Sequence, residues 1–532
     1  MNWRRWLSLV PALLPAAAAF VWASMAYAWP EPWLERVRAG EATWSASWLG
    51  CTEFAGEPMH AVMRLLLRAE LALPGATFWT TAWLAAAVAF WTVWLLAELL
   101  RRSFALALPA HRVALALVGL RVATPAHGVV WLAGERVGAV LAPAAFVLAL
   151  SWLQGPGRLR TRAVGALLLA VVAPFCHTNG IVVAFGLIPA LLAAVGRAGS
   201  TRASAWLATA VLLGNLAAAL SLRTGNGFAP TMPGYDTWVA FVARVGSAIG
   251  DVLPGLRADD VALGAVALAV LLVLPRVGDR SGIARDRAAP WWSCVWFALG
   301  VLALDVVRGG PAAASDSWRA ATFGVFLLPI GLGGLLACRF GVGVLRIAAG
   351  ALFVLAVQDW QRGVEDLRLA RARGEQVEAA LALPREAAGA KMDVLRDPVQ
   401  VDLVRARGWA PPPLDFAAAV ATAHDGIGTG AVIGGDANGV RGHVRSSLNQ
   451  PGVAAVLVVD AAQPGGLLGV GWPDFAAAGR DRDVPWTATF AAPLAEGRRV
   501  VVLAFRPRQG SCERIGGVHV LQQGRLVAEV PR

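Results

Sequence analysis

Long apolar runs separated by short, arginine-bearing connections occupy the first two thirds of the chain. Runs of bilayer-crossing length, about 17–25 residues each, are found at or near 6–28, 77–99, 104–120, 137–153, 163–176, 180–196, 203–221, 261–275, 291–306, 320–338 and 341–358. Some are short or contain proline, and together they predict an α-helical polytopic membrane protein of about eleven transmembrane helices.

The connections set the orientation. Arg4 and Arg5, Arg101 and Arg102, Arg158 with Arg160 and Arg162, Arg197 with Arg202, and Arg276, Arg280, Arg285 and Arg287 all fall on one side of the successive spans. Cytoplasmic loops carry the arginine and lysine excess, so that side is expected to be the cytoplasm. The connections at 29–76, 121–136, 176–180, 222–260 and 307–319 then face outward, with everything after 358. The first run has a second reading, because Arg4-Arg5 before it and Ala26-Tyr27-Ala28 after it resemble a signal peptide with its cleavage site. Its length favours an uncleaved span, and the following loop is exported on either reading.

After Gln358 the pattern changes. Trp360 to Leu383 mixes charge with apolar residues at helical spacing and predicts an amphipathic helix that breaks before Pro384. Pro411-Pro412-Pro413 is a stiff linker. The β-branched runs at 452–460, 498–505, 517–521 and 525–530, separated by Gly, Pro and Asp, predict a small β-sandwich-like domain of about 100 residues. The expected organisation is a polytopic domain at 1–358, a helix and linker at 359–413, and a β-rich extracytoplasmic (periplasmic) domain at 414–532.

Composition narrows the class. With 57% hydrophobic and 15% charged residues and a mean hydropathy of +0.58, the chain is no water-soluble globule with an ordinary core. The net charge of +12 is scattered in short clusters between apolar runs, which fits a topogenic role and not a nucleic-acid interface. Lys391 is the sole lysine among 47 basic residues, a codon bias pointing to a GC-rich, bacterial genome. The five cysteines form no C-x-x-C pair and no zinc-type spacing, so no structural metal is expected. Cys51 and Cys512 both lie in segments read as exported, where a disulfide between them is an open option.

Candidate chemistry gathers on the outward connections. Thr124 to Leu141, T-P-A-H-G-V-V-W-L-A-G-E-R-V-G-A-V-L, sets His127, Glu135 and Arg136 at the mouth of an apolar run. His177 lies in P-F-C-H-T-N-G, and Asp316 and Arg319 lie in S-D-S-W-R. Ionisable groups at membrane depth are costly unless they pair or line a cavity, so their convergence on one side marks a candidate site.

The order of these parts resembles the GT-C class of polytopic glycosyltransferases, in particular bacterial PMT-like proteins and the transmembrane O-mannosyltransferases that carry tetratricopeptide repeats. Gly56 to Ala69, G-E-P-M-H-A-V-M-R-L-L-L-R-A, stands where that class has a turn from an acidic first loop into the membrane. Pro125 to Arg136, P-A-H-G-V-V-W-L-A-G-E-R, is similar to its P-x-H-x-x-x-x-W-x-x-G-R signature. His177 to Phe185 loosely matches its joint between two spans, and S-D-S-W-R-A-A-T-F its late acidic-x-R-Y element. The resemblance covers about residues 1–340. The chain departs from the class in having a β-rich tail in place of the repeats, His177-Thr178 where the joint has Lys-Glu, an arginine one residue late after Glu135, and no Asp-Asp in the first outer loop.

The resemblance implies sugar transfer from a polyprenyl-phosphate donor to a glycan, lipid or protein acceptor at the outer face of the bacterial cytoplasmic membrane, with inversion at the anomeric carbon. Such transfer needs a carboxylate to take the acceptor proton, worth about 10²–10⁴-fold, cations on the leaving phosphate, and an apolar groove for the prenyl chain. The first loop offers Glu53 and then Glu57 as base, though either also reads as a solvated loop carboxylate. His127, Arg136, His177 and Arg319, with Asp316 beside them, are the candidate substrate-binding groups; a lone arginine at a span end equally reads as snorkelling to lipid headgroups. Membrane lipids are expected partners and nucleic acid is not. No cofactor is expected, and the reading leaves room for a divalent metal. Two other classes stay open: a transporter or flippase of a lipid-linked sugar, against which the lack of repeated halves counts, and a catalytically inactive relative that binds a glycolipid or a partner.

Overall fold

The computed structural model describes residues 79–104, 108–122, 137–156, 158–198, 235–249, 257–275, 282–309, 324–340, 374–384, 413–426, 429–445, 452–463, 466–475 and 483–529, together with strands at 52–54 and 57–59 and isolated positions elsewhere. The described residues belong to two compact units, one before residue 365 and the other from Glu365 to Arg532.

The first unit is helical apart from one hairpin. Strands β1 (Thr52–Phe54) and β2 (Glu57–Met59) are followed by α1 (Trp79–Ser103), α2 (Leu108–Val122), α3 (Val137–Leu153), α4 (Leu159–Val172), α5 (Ile181–Ala198), α6 (Tyr235–Ile249), α7 (Arg257–Val273), α8 (Gly282–Gly309) and α9 (Leu327–Phe340). Among the described residues three helices are long and apolar enough to cross a membrane, Trp83–Ser103, Thr178–Val195 and Arg287–Val306, while Val137–Leu153, Val261–Val273 and Leu327–Phe340 are apolar but shorter. The outer surfaces of these helices and of α4 are apolar as well, with Trp83, Trp91, Leu168, Leu192 and Leu272 exposed. A helix that is apolar all round suits lipid and not water.

Close packing in this unit rests on ring-against-glycine contacts. Phe146 of α3 stacks on Phe297 of α8 at 4.4 Å between centroids, and Gly186 of α5 leaves them room, because a Cβ there would lie 2.7 Å from Phe297. Trp291 of α8 is fully buried, stacks on Phe104 at 5.7 Å, and lies against Gly331 and Gly334 of α9. Small residues let membrane helices approach in this way. Arg101 and Arg102, read above as cytoplasmic, both donate to the buried Glu98 one turn earlier in α1. Arg162 donates to the carbonyls of Leu153 and Gly155 at 2.9 and 2.6 Å and so closes the C-terminus of α3.

Eight of the predicted runs overlap α1 to α5 and α7 to α9, their ends differing by up to nine residues; those at 6–28, 203–221 and 341–358 lie mostly outside the described residues. The connection expected at 222–260 needs correcting, because it contains α6. Tyr235 to Ile249 follows Pro233-Gly234, has Asp236 in its first turn and buries Arg244, Val245, Ala248 and Ile249 towards its end. Those are helix signals, but at 15 residues the segment falls short of the bilayer-spanning length by which the runs were chosen.

The second unit corrects the expected sandwich. After α10 (Phe416–Thr422) come β3 (His424–Asp425), β4 (Gly430–Gly435), β5 (Gly439–Arg445), β6 (Ala455–Asp460), β7 (Leu467–Gly471), β8 (Asp483–Phe490), β9 (Arg499–Arg506), β10 (Ser511–Gln522) and β11 (Arg525–Ala528). They form one curled mixed sheet, a half-barrel, in the order β11-β10-β9-β6-β7-β8-β5-β4, with β3 parallel to β10. A bridge between Asp436 and Arg525 brings the edges β4 and β11 together at one end.

The concave face holds Val456 and Val458 of β6, Val500 and Val502 of β9, and Val484 and Trp486 of β8. The alternate residues Leu457, Val459, Val501, Leu503 and Phe505 face outward under Ala379, Ala382 and Leu383 and α10. Strands β6 and β9 are therefore buried on both faces, which is why they read as continuous apolar runs. Strand β8 has one open face and alternates strictly. The helix at 374–382, within the amphipathic stretch predicted from sequence, supplies the outer cover. Its buried Glu375 accepts from Arg371 at 2.9 Å and from the backbone of Gly452 at 2.9 Å. Cys512 is a free thiol buried in the outer layer, not the disulfide partner that an exported position suggested, and burial pushes its pKa up to about 12. Cys51 lies outside the described residues.

Candidate functional site

The joint between α4 and α5 is the part of the candidate site described in most detail. Helix α4 gives way at Ala173–Phe175 to a tight turn with Pro174 at its start, and a second tight turn, Thr178–Gly180, leads into α5. Between them His177 is extended (φ −164°, ψ 155°). Its Nδ1 accepts from the Asn179 N–H at 3.2 Å and its carbonyl from the Gly180 N–H at 2.8 Å. With Nδ1 an acceptor, the hydrogen-bond pattern assigns the neutral tautomer whose proton is on Nε2. The imidazole is half-buried.

Two glycines make the joint possible. A Cβ on Gly180 would lie 2.0 Å from the Ala173 carbonyl oxygen. A Cβ on Gly138, in the first turn of α3, would lie 2.2 Å from the Cys176 carbonyl oxygen and 3.9 Å from the His177 Cβ. The start of α3 is thus seated on the joint. Val137 is the sequence neighbour of Arg136, which lies outside the described residues, as do His127, Asp316 and Arg319.

Glu53 and Glu57 fall on the two strands of the hairpin β1–β2, joined by two residues. Glu53 is in register with Pro58, and Glu57 with Phe54. The glutamates are therefore not cross-strand partners and hold positions of opposite parity along the ribbon.

A third group of charges was not singled out from the sequence. Arg244 of α6 forms an ion pair with Asp305 of α8, with both side chains largely buried. One turn further on, Arg121 at the end of α2 donates to the carbonyls of Ala248 and Ile249 at 2.5 and 3.2 Å, closing the C-terminus of α6. Arg121 and Asp305 are close in sequence to the connections that carry His127 to Arg136 and Asp316 to Arg319. The available signal was Asp305 within an apolar run and Arg244 within V-A-R-V, since an ionisable residue in such a segment implies a partner.

Among the described residues no three His, Cys, Asp or Glu side chains stand together as a metal site requires. No protein-family model matches this chain, and no curated protein or solved structure matches it.

Proposed function

We propose that this protein is a multi-pass bacterial glycosyltransferase of GT-C-like architecture, with about eleven spans, that moves a sugar from a polyprenyl-phosphate donor to a cell-envelope acceptor. The reaction takes place at the outer face of the cytoplasmic membrane, and the second unit is extracytoplasmic. The observation that carries this reading is the seating of the first turn of α3 on the His177 joint. The helix that continues the His127-to-Arg136 motif in sequence packs at Gly138 against Cys176 and His177, which supports reading the two motifs as parts of one donor site.

In this mechanism Arg136 and His177, with His127 and Arg319, hold the leaving phosphate through charge-assisted hydrogen bonds. Glu53 takes the proton from the acceptor hydroxyl as that oxygen attacks the anomeric carbon, and Glu57 is the second choice. The bond to the phosphate oxygen breaks as the new glycosidic bond forms, with inversion. Asp316 positions the arginine three residues on.

The test is donor kinetics in proteoliposomes with a synthetic polyprenyl-phosphate sugar. His177→Ala is expected to raise KM for the donor, because losing a hydrogen bond to a charged group costs about 1.5–3 kcal/mol. An unchanged KM in both His177→Ala and Arg136→Ala would remove the phosphate role.

A further inference from the structure

Of the exposed large hydrophobic side chains among the described residues, two belong to the second unit: Ile433 at 66% and Val527 at 48% exposure. Both lie on edge strands of the half-barrel, Ile433 on β4 and Val527 on β11. Ile433 is the extra residue of a bulge, because β4 pairs with β5 through Val432 to Gly442 and then Gly434 to Arg441. A bulge re-aims a side chain, and here Val432 packs against the concave core while Ile433 points to solvent. The Asp436–Arg525 bridge is antiparallel, and its register extended by two residues sets Gly434 opposite Val527. The two apolar side chains therefore flank one seam.

The surroundings of the seam are basic. Arg441 is exposed on β5 opposite Gly434, His443 and Arg445 follow on the same face, and Arg525 is exposed at the head of β11. Three acids stand near it: Asp483 pairs with Arg445 at 3.6 Å and Glu529 with Arg499, so that Arg441 and Arg525 are the seam's own arginines, against Asp436, whose carboxylate accepts from the backbone of Asn438 and Gly439. The outer face over β6 and β9 is covered by the helix at 374–382 and α10, whereas the seam has no such cover among the described residues.

We propose that this seam docks on the anionic headgroup layer of the membrane that the same chain spans, with Ile433 and Val527 entering the interface and Arg441 contacting lipid phosphate. Exposed apolar residues beside exposed arginines are the combination that binds an anionic bilayer surface. The chain keeps that surface within reach, since its last apolar run ends at 358 and the second unit begins at Glu365. The proposal does not depend on the sugar-transfer reading.

The test uses the full chain, spin-labelled at Ile433→Cys, with Gln463→Cys, an exposed site away from the seam, as reference and the signal of the unmutated chain subtracted. In nanodiscs of phosphatidylglycerol the label at 433 is expected to be severalfold less accessible to a water-soluble nickel chelate, and more accessible to oxygen, than the label at 463. Arg441→Glu and a change to neutral phosphatidylcholine should each reduce that protection. Equal accessibility at the two sites would overturn the proposal. So would protection that persists in detergent without a bilayer, which would show a protein partner, or protection indifferent to both Arg441→Glu and lipid charge.

Discussion

Gly138 approaches Cys176 so closely that a methyl group on its α-carbon would lie 2.2 Å from the Cys176 carbonyl oxygen. The contact is with backbone and not with the end of a flexible side chain, so it has little room to relax. Gly138→Ala is expected to force α3 off the His177 joint at a cost of about 1–3 kcal/mol, the usual range for overpacking. Thermal unfolding in detergent should show a lower midpoint, and donor KM should rise with it. An alanine variant with unchanged midpoint and KM would show that the joint and the start of α3 are not coupled.

The contact between α8 and α9 supplies a matched pair of variants. A Cβ on Gly334 would lie 2.3 Å from the ring of the buried Trp291, whereas one on Gly333 meets nothing within 4 Å. Gly334→Ala should destabilise the first unit by about 1–3 kcal/mol. Gly333→Ala should be neutral or slightly stabilising, as alanine is the better helix former. Equal midpoints for the two would contradict the packing of Trp291 between these helices.

The helices were legible where one physical rule governed them. Val137 to Leu153 reads as an apolar helix and is one, with the expected bounds. Helix α6 was missed because its burial is concentrated at Arg244 to Ile249, and a run-length criterion cannot see a short helix anchored by Arg244–Asp305 and Arg121. In the tail, Val456 to Val459 and Val500 to Leu503 announced strands buried on both faces. Whether helices or a second sheet supply the outer cover depends on where Ala379, Ala382 and Leu383 fold back, which periodicity does not encode. Of the candidate site, the sequence located the His177 joint but not its means of closure, since nothing in the pattern reveals that Gly138 and Gly180 are required by carbonyls far along the chain or at the turn before.

The helix at 374–382 should depend on its buried ion pair. Arg371 and Glu375 have side chains only 9% and 2% exposed, and Glu375 also holds the Gly452 N–H. Removing one partner of a buried pair typically costs about 3–5 kcal/mol. Glu375→Ala should therefore speed hydrogen exchange at Val453 to Val459, and Glu375→Gln, which keeps an acceptor for Gly452, should do so less. Exchange unchanged in both would mean that the pair does not hold the helix on the sheet.

His519 makes the second unit sensitive to mild acid. Burial holds its pKa below the ordinary value, against a smaller opposing hydrogen bond to the Gly517 backbone. The unfolded chain therefore binds the proton more readily than the folded one, and stability is full above about pH 6.5 and falls as the pH drops through the folded value. Asp460 does not blur this window. Burial alone would raise its carboxyl, but the Ala462 N–H and Arg498 hold it below the usual range, so its contribution is lost only below about pH 4. Hydrogen exchange of the β9 and β10 amides, corrected for intrinsic rate, should show weaker protection at pH 5.5 than at 7.5. His519→Leu should remove most of that difference, and an equal loss in the variant would exclude His519 as its source.

Sugar transfer is tested most directly by the release of polyprenyl phosphate from a synthetic polyprenyl-phosphate sugar bearing a radiolabel, with purified protein in proteoliposomes and a cell-envelope extract as acceptor. The unmutated chain should release polyprenyl phosphate and label the acceptor. Glu53→Gln, which keeps size and polarity but removes the proton acceptor, should lower kcat by about 10²–10⁴-fold, the span of general-base catalysis, with donor binding intact, while the same change at Glu31 and Glu41, two other carboxylates of the 29–76 connection, leaves the rate near that of the unmutated chain. Donor bound without turnover by the unmutated chain, or turnover unchanged in Glu53→Gln, Glu57→Gln and the two combined, would contradict the assignment.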